Sequence, residues 1–234
     1  MPLIINFKQL KYYKMNNLKV KEPILMQNQE SPLNADIFAQ EEFKRLQKHL
    51  GLKYAVETGT CLGYTTKFLS EFYEQVRTIE INDEFREIAL QNRLSDCSNV
   101  FCFKGSSSDL LLGVLSGLDD STFIFLDAHW GNHCPLKDEL RQIKESGIKP
   151  VIAIHDFFVP NHPELGFDEI HGQPFTYEWL KEDIDAVYGE GGYAYFYNSE
   201  SEGAKRGIIY IYPIVKDLNL PREKYISIPL NLEK

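Results

Sequence analysis

The run Val56-Glu57-Thr58-Gly59-Thr60-Cys61-Leu62-Gly63-Tyr64-Thr65-Thr66 ends an apolar stretch on an acid and then brackets a turn with two glycines before a helical pattern begins. Glycine admits positive φ and a close approach by a ligand, and the first N–H groups of a helix are free to meet a carboxylate. Glu57, two residues before Gly59, would repel a pyrophosphate, and the third glycine of a dinucleotide fingerprint is missing. A compound with an ammonium and a sulfonium is instead attracted by that acid, while its single carboxylate can meet the helix start. Glu57, Gly59, Thr60 and Gly63 therefore form a candidate site for S-adenosylmethionine. A turn whose glycines only let helix and strand pack is the alternative for so short a motif.

Two later segments extend the same site. Arg77-Thr78-Ile79-Glu80-Ile81-Asn82 ends a strand-like run on Glu80, 21 positions after Gly59, where a carboxylate can accept both hydrogen bonds of a ribose diol. Gly105-Ser106-Ser107-Ser108 follows another apolar run, and the small hydroxyls of Ser106 and Ser107 suit an adenine edge. A plain helix cap at Ser107 or Ser108 is an equal reading.

A second constellation lies in Phe123-Ile124-Phe125-Leu126-Asp127-Ala128-His129-Trp130 and Ala153-Ile154-His155-Asp156-Phe157. Both segments end strand-like runs on acids, which aims Asp127 and Asp156 into one crevice beside the donor. Two hard carboxylates suit Mg²⁺ or another divalent ion. His155 is the first choice as metal ligand or general base and His129 the second, since an imidazole titrates near neutral pH. Either histidine is equally suited to a hydrogen-bond network at the sheet end. Asp127 thus stands in the catalytic, donor-binding and metal sets, with His155 and Asp156 completing the metal set. A zinc group of His129, His133 and Cys134 lacks a fourth ligand. Trp130 could stack on an acceptor ring, and His162, Asp168, Glu169 and His171 could reach it from a later loop.

The elements that must carry these residues alternate. Strands are expected at residues 54–57, 76–81, 100–104, 122–126 and 151–154, and helices at 65–73, 84–94, 108–115, 135–146 and 177–187. This β-α order predicts an α/β fold, a Rossmann-like open, mostly parallel sheet with helices on both faces. The runs 193–197 and 207–212 predict an antiparallel edge strand pair. Before the first strand, a helix is expected from Asn34 as its cap to Gly51 as its stop. Residues 157–176, rich in Pro, His, Asp and Gly, are expected to form a substrate lid. The domain reading is an N-terminal extension over 1–33 and a single domain over 34–234.

Taken in order, these segments resemble the class I S-adenosylmethionine-dependent methyltransferases over roughly Tyr54 to Tyr212. The resemblance implies that Glu57, Gly59 and Gly63 hold the donor's methionine part, Glu80 its ribose and the turn 105–107 its adenine. The pair Asp127 and Asp156 is similar to the metal site of the macrocin-type, metal-dependent sugar O-methyltransferases and the cephalosporin-hydroxylase-like group. Here His155 stands where that pattern has a second adjacent acid. The implied activity is O-methylation of a small hydroxylated metabolite, a sugar or glycosylated compound.

Composition narrows the partners. The 234 residues carry a net charge of −9, which disfavours nucleic acid and favours a small-molecule acceptor. Cys61, Cys97, Cys102 and Cys134 contain no C-x-x-C pair and are expected as free thiols in a reducing compartment. No apolar run approaches the roughly 20 residues that cross a bilayer, so a soluble, cytoplasmic protein without a membrane partner is expected. Residues 1–21 hold five lysines and no acid, which reads first as a solvated extension and second as an arm touching an acidic partner or a second subunit of a homodimer. Two rival readings are an iron-dependent oxygenase using His129, His155 and one carboxylate, and a non-catalytic nucleotide-binding protein.

Overall fold

The structure, a computed structural model, describes residues 31–129 and 132–214. The lysine-rich segment and Trp130 lie outside the described residues. Chain order runs α1 (Ile37–Leu50), β1 (Tyr54–Thr58), α2 (Tyr64–Ser70), β2 (Gln75–Glu80), α3 (Asp83–Asn92), β3 (Val100–Lys104), α4 (Ser107–Leu115), β4 (Thr122–Leu126), α5 (Leu136–Ser146) and β5 (Val151–His155). A small pair β6 (Glu169–Ile170) and β7 (Gln173–Pro174) follows, then α6 (Tyr177–Tyr188), β8 (Tyr193–Tyr197) and β9 (Ile208–Pro213).

The main sheet has the order β3-β2-β1-β4-β5-β9-β8. Its first five strands are parallel, β9 runs antiparallel to β5, and β8 pairs antiparallel with β9. The expected Rossmann-like architecture and antiparallel edge pair are both present. Strands β4 and β5 are buried at every position, as befits strands covered on both faces. Because successive side chains of a strand alternate faces, Val56, Ile124 and Ile152 pack with Leu140, Ile143 and Ile184 on one side. Ala55, Phe123, Phe125 and Ala153 pack with Phe43, Leu46 and Phe68 on the other.

Helix α1 covers that second face, with Phe43 edge-on to Phe123 and Phe125 at 4.7 and 5.2 Å between ring centres. Its cap is Asp36 and not the expected Asn34. The Asp36 carboxylate accepts from Phe38 N at 3.0 Å and Ala39 N at 3.1 Å. Asn34 instead lies at φ 55° within the turn Pro32–Ala35, which buries Leu33. A cap must have extended backbone for its side chain to reach the first free N–H groups, and that condition is met two residues later. Gly51 ends the helix in the left-handed region, as expected.

Strand order reverses between β1 and β4, so the loops leaving these neighbours diverge to opposite sides and open a crevice at their carboxyl ends. Register aligns those ends: Thr58 pairs with Ile79 on one side and Leu126 on the other, and Leu126 pairs with Ile154. Gly59, Glu80, Asp127 and Asp156 consequently emerge on one edge.

Residues 157–176 are anchored along their length. Phe157 N donates to Gly207 O at 2.9 Å, Phe158 N to Phe175 O at 2.8 Å and Asp168 N to Asp156 O at 2.8 Å. Phe157, Val159, Leu165 and Phe175 are buried. The segment forms a packed wall beside the end of β5. All four cysteines are free thiols, and no helix among the described residues is long and apolar enough to cross a membrane.

Candidate active site

The loop after β1 runs against the backbone that follows β4. Gly59 has φ 89°, and a Cβ there would lie 2.7 Å from the Asp127 carbonyl oxygen. Gly63, at φ 82°, lets α2 approach α3, since its Cβ would come within 2.9 Å of Ala89 Cβ. Each glycine is therefore required both by conformation and by space.

Glu57 is 1% exposed and faces into the fold. Its carboxyl accepts from Thr66 Oγ1 on α2 and from Thr78 Oγ1 on β2, the latter at 2.7 Å. Burial pushes its pKa up to about 8 against the pull of those two hydroxyls. Thr60 is also buried, with Oγ1 2.6 Å from Thr78 Oγ1. In the fold, then, Glu57 and Thr60 tie β1, β2 and α2 together beneath the crevice.

Glu80 closes β2 and accepts from Cys61 N at 2.7 Å and Asn82 N at 2.8 Å. Burial raises its pKa while these amides oppose the rise. Each carboxylate oxygen retains a further lone pair, so Glu80 holds the glycine loop and can still accept from a diol. Ser106 occupies the cap position of α4 without a side-chain cap bond, its Oγ lying 2.7 Å from Ser108 Oγ. Ser107 is buried beneath it.

One strand over, acids and imidazoles interlock. His129 Nε2 lies 2.9 Å from Asp156 Oδ2 and 3.8 Å from Asp168 Oδ2. His155 Nδ1 lies 3.2 Å from Asp127 Oδ1 and 3.3 Å from Asp156 Oδ2. Arg206, just ahead of β9, joins Asp156 through Nε and Asp168 through Nη2. Asp156 holds φ 57°, an uncommon conformation for a residue with a side chain. Burial alone would raise Asp156, but His155, His129 and Arg206 outweigh it and hold the carboxyl well below its ordinary value. Burial pulls both imidazoles down, yet the surrounding carboxylates leave His129 raised and His155 raised well above the ordinary histidine value.

The ligand atoms close enough to share one ion are those of Asp127, His129 and Asp156, all within 4.8 Å of one another. The sequence reading preferred His155 to His129 in that set. His155 is still the last residue of β5, with its ring edge-on to Phe125 in the core. His129 stands beyond the end of β4 and reaches Asp156 directly. Among the described residues, His133 and Cys134 belong to no such group.

The donor chemistry fits a divalent cation. With both imidazoles neutral, the three carboxylates of Asp127, Asp156 and Asp168 exceed the Arg206 guanidinium by two charges, which one divalent ion balances. With both imidazoles protonated the cluster is neutral by itself. Oxygen and imidazole ligands together suit Mg²⁺ and, with the nitrogen, Mn²⁺ or its neighbours. Arg206 has no place among the residues the sequence singles out, and Asp168 stands there only as a residue of the lid. Their signal in the sequence is a single arginine in the turn preceding the last strand, informative only once β9 is known to pair with β5.

The fold is shared with S-adenosylmethionine-dependent O-methyltransferase structures. The O-methyltransferase TomG from Streptomyces achromogenes, involved in tomaymycin synthesis and solved with S-adenosylmethionine, superposes with a TM-score of 0.57 at 17% identity, covering 88% of this chain and 96% of that one. An O-methyltransferase from Bacillus cereus in complex with S-adenosylhomocysteine gives 0.56 at 20% identity, over 88% and 97% of the two chains. A putative caffeoyl-CoA O-methyltransferase from Staphylococcus aureus gives 0.54 at 16% identity, over 89% and 98%. At such identities the likeness establishes the fold. No family model and no curated protein sequence matches the chain.

Proposed function

We propose that this protein is an S-adenosylmethionine-dependent O-methyltransferase acting on a small hydroxylated metabolite, a sugar or glycosylated compound, with a divalent metal ion. One observation carries the reading: the glycine loop with Glu80 and the cluster of Asp127, His129 and Asp156 open onto the same edge, on either side of the point where strand order reverses. The fold shared with structures solved with S-adenosylmethionine or S-adenosylhomocysteine supports it.

When bound, S-adenosylmethionine supplies a methyl group on a sulfonium, already a good leaving group. The chain's own task is to bind, orient and deprotonate. Glu80 offers its remaining lone pairs to the ribose, the turn at Ser106 and Ser107 borders the adenine, and the Gly59 loop lies against the methionine part. Asp127, His129 and Asp156 would hold the metal, whose chemistry there would be Lewis-acid stabilisation of an acceptor oxyanion. The imidazole left free of the ion, in its neutral form, is the group able to take that proton. A net charge of −9 supports a small molecule over a nucleic acid as acceptor.

The test is calorimetric titration with S-adenosylhomocysteine, with NAD as control, followed by transfer of labelled methyl to a panel of hydroxylated acceptors with and without chelator. Binding of the homocysteine compound alone and chelator-sensitive transfer are expected. Tight binding of NAD in its place would overturn the donor assignment, and transfer unaffected by exhaustive chelation would remove the metal.

A further inference from the structure

A histidine that ligates a metal ordinarily donates its second ring N–H to a carboxylate or carbonyl, and that bond fixes the plane of the imidazole. His129 departs from this pattern. Its Nε2 faces the acids, 2.9 Å from Asp156 Oδ2 and 3.8 Å from Asp168 Oδ2. Its Nδ1 is buried and has no hydrogen-bond partner among the described residues. A ring bonded through one nitrogen can still pivot about that contact, so the bond to Asp156 leaves the plane of the imidazole open.

Phe175 supplies a second contact. Its ring lies edge-on to the imidazole, with 4.9 Å between centres and 83° between planes, the arrangement in which the positive edge of one aromatic ring meets the negative face of the other. Phe175 is buried and is itself held from two further directions. Trp179 on α6 lies nearly parallel to it, 5.5 Å away at 13°. The cap of that helix places Trp179, whose N donates to Thr176 Oγ1 at 3.2 Å. The backbone of Phe175 is clasped as well: its N donates to Asp168 O at 3.1 Å and its O accepts from Phe158 N at 2.8 Å. Asp168 N in turn donates to Asp156 O at 2.8 Å. The Phe175 ring is therefore registered to the same backbone that carries two of the acids, and its contact with His129 fixes the imidazole relative to them.

We propose that Phe175 is a positioning residue whose ring, braced by Trp179, holds the His129 imidazole with Nε2 toward Asp156, in place of a hydrogen bond at Nδ1. The claim about ring orientation stands on the contact geometry, and its consequence for a metal ion rests on the function proposed above. A Phe175 that only fills space would lower the melting temperature on replacement yet leave both the His129 ring and the affinity for Mn²⁺ unchanged.

The experiment uses the full chain as wild type, Phe175→Leu and Phe175→Met. In the metal-free proteins, three-bond couplings to His129 Cγ report χ1, and cross-relaxation reports proximity of the His129 and Phe175 ring protons; Mn²⁺ Kd and melting temperature are then measured. The wild type should show one χ1 rotamer and cross-peaks between the two rings. In Phe175→Leu the couplings should average over staggered rotamers, and Mn²⁺ affinity should fall about tenfold, the lower end of the range for groups that orient a ligand. Phe175→Met fills the space with a flexible apolar chain but no ring. Its loss of Mn²⁺ affinity should match that of leucine while its melting temperature falls less, and it decides the matter if the leucine variant does not fold. Unchanged couplings and Mn²⁺ affinity in a folded variant overturn the proposal, and so does the absence of ring cross-peaks in the wild type, which needs no variant. If the wild type binds no Mn²⁺, the metal reading fails while the couplings still judge Phe175.

Discussion

His129 Nε2 stands 2.9 Å from Asp156 Oδ2, joining the loop after β4 to the loop after β5 across 27 positions of sequence. A metal ion held by Asp127, His129 and Asp156 has to replace that bond with two of its own and requires the neutral imidazole. Mn²⁺ titration followed by electron paramagnetic resonance should give one site per chain, weakening as pH falls through the titration of His129. Asp127→Asn should lower the affinity by more than the about 10–100-fold lost with an outer partner. An Asp127→Asn variant binding Mn²⁺ as wild type does would exclude Asp127 from the site.

Arg206 bridges Asp156 and Asp168 with two different nitrogens. Lysine carries the charge but has no planar fork, so Arg206→Lys should lose one of the two contacts. A loss of about 2 kcal/mol is expected, within the range for hydrogen bonds to charged groups, seen as a lower urea midpoint with unchanged slope. Retention of the full midpoint would mean that charge alone suffices there.

Glu80 accepts two backbone amides and, in the proposed reaction, a ribose diol. Glu80→Ala should weaken S-adenosylhomocysteine binding by roughly 10–100-fold, the equivalent of one charge-assisted hydrogen bond. The same titration with Glu80→Gln should show a smaller loss. Equal affinity in all three proteins would take Glu80 out of the site.

Gly59→Ala places a methyl group 2.7 Å from the Asp127 carbonyl at a φ of 89°. The strain should cost about 1–3 kcal/mol and displace the Asp127 loop, lowering Mn²⁺ affinity together with the melting temperature. Gly51→Ala, at φ 61° but with open space around it, should cost less and leave Mn²⁺ affinity intact.

Glu57 has an ordinary pKa of 4.5 and a folded value of about 8. The folded state thus binds more protons than the unfolded state between those values, and stability falls as pH rises through the window. Melting temperature measured from pH 5 to pH 8 should decline, and Glu57→Gln should flatten part of that decline. An identical slope in the variant would show that Glu57 ionises normally in the folded protein.

The loop from Glu57 to Gly63, Glu80, and the acids at 127 and 156 were legible because each follows a strand whose apolar run is visible locally, and such loops gather at one sheet edge. Asn34 carries the local signal of a cap, a short polar residue ahead of an apolar pattern, but the backbone of Pro32–Ala35 leaves that task to Asp36. His155 Nδ1 lies 3.2 Å from Asp127 and 3.3 Å from Asp156, while the ion-sized group takes His129, the second choice from sequence.

By itself the sequence determined the order of strands and helices, the crevice edge and the types of residue brought to it, because periodicity and turn chemistry are local properties written in neighbouring positions. Only the tertiary structure decided which side chains meet: that Glu57 faces two threonines, that Arg206 reaches back from β9 to Asp156 and Asp168, and that Gln142 reaches from α5 to Ser107 O and Ser108 O. Those encounters depend on strand pairing and helix packing between distant segments, and the free energy that selects them comes from burying the whole core at once.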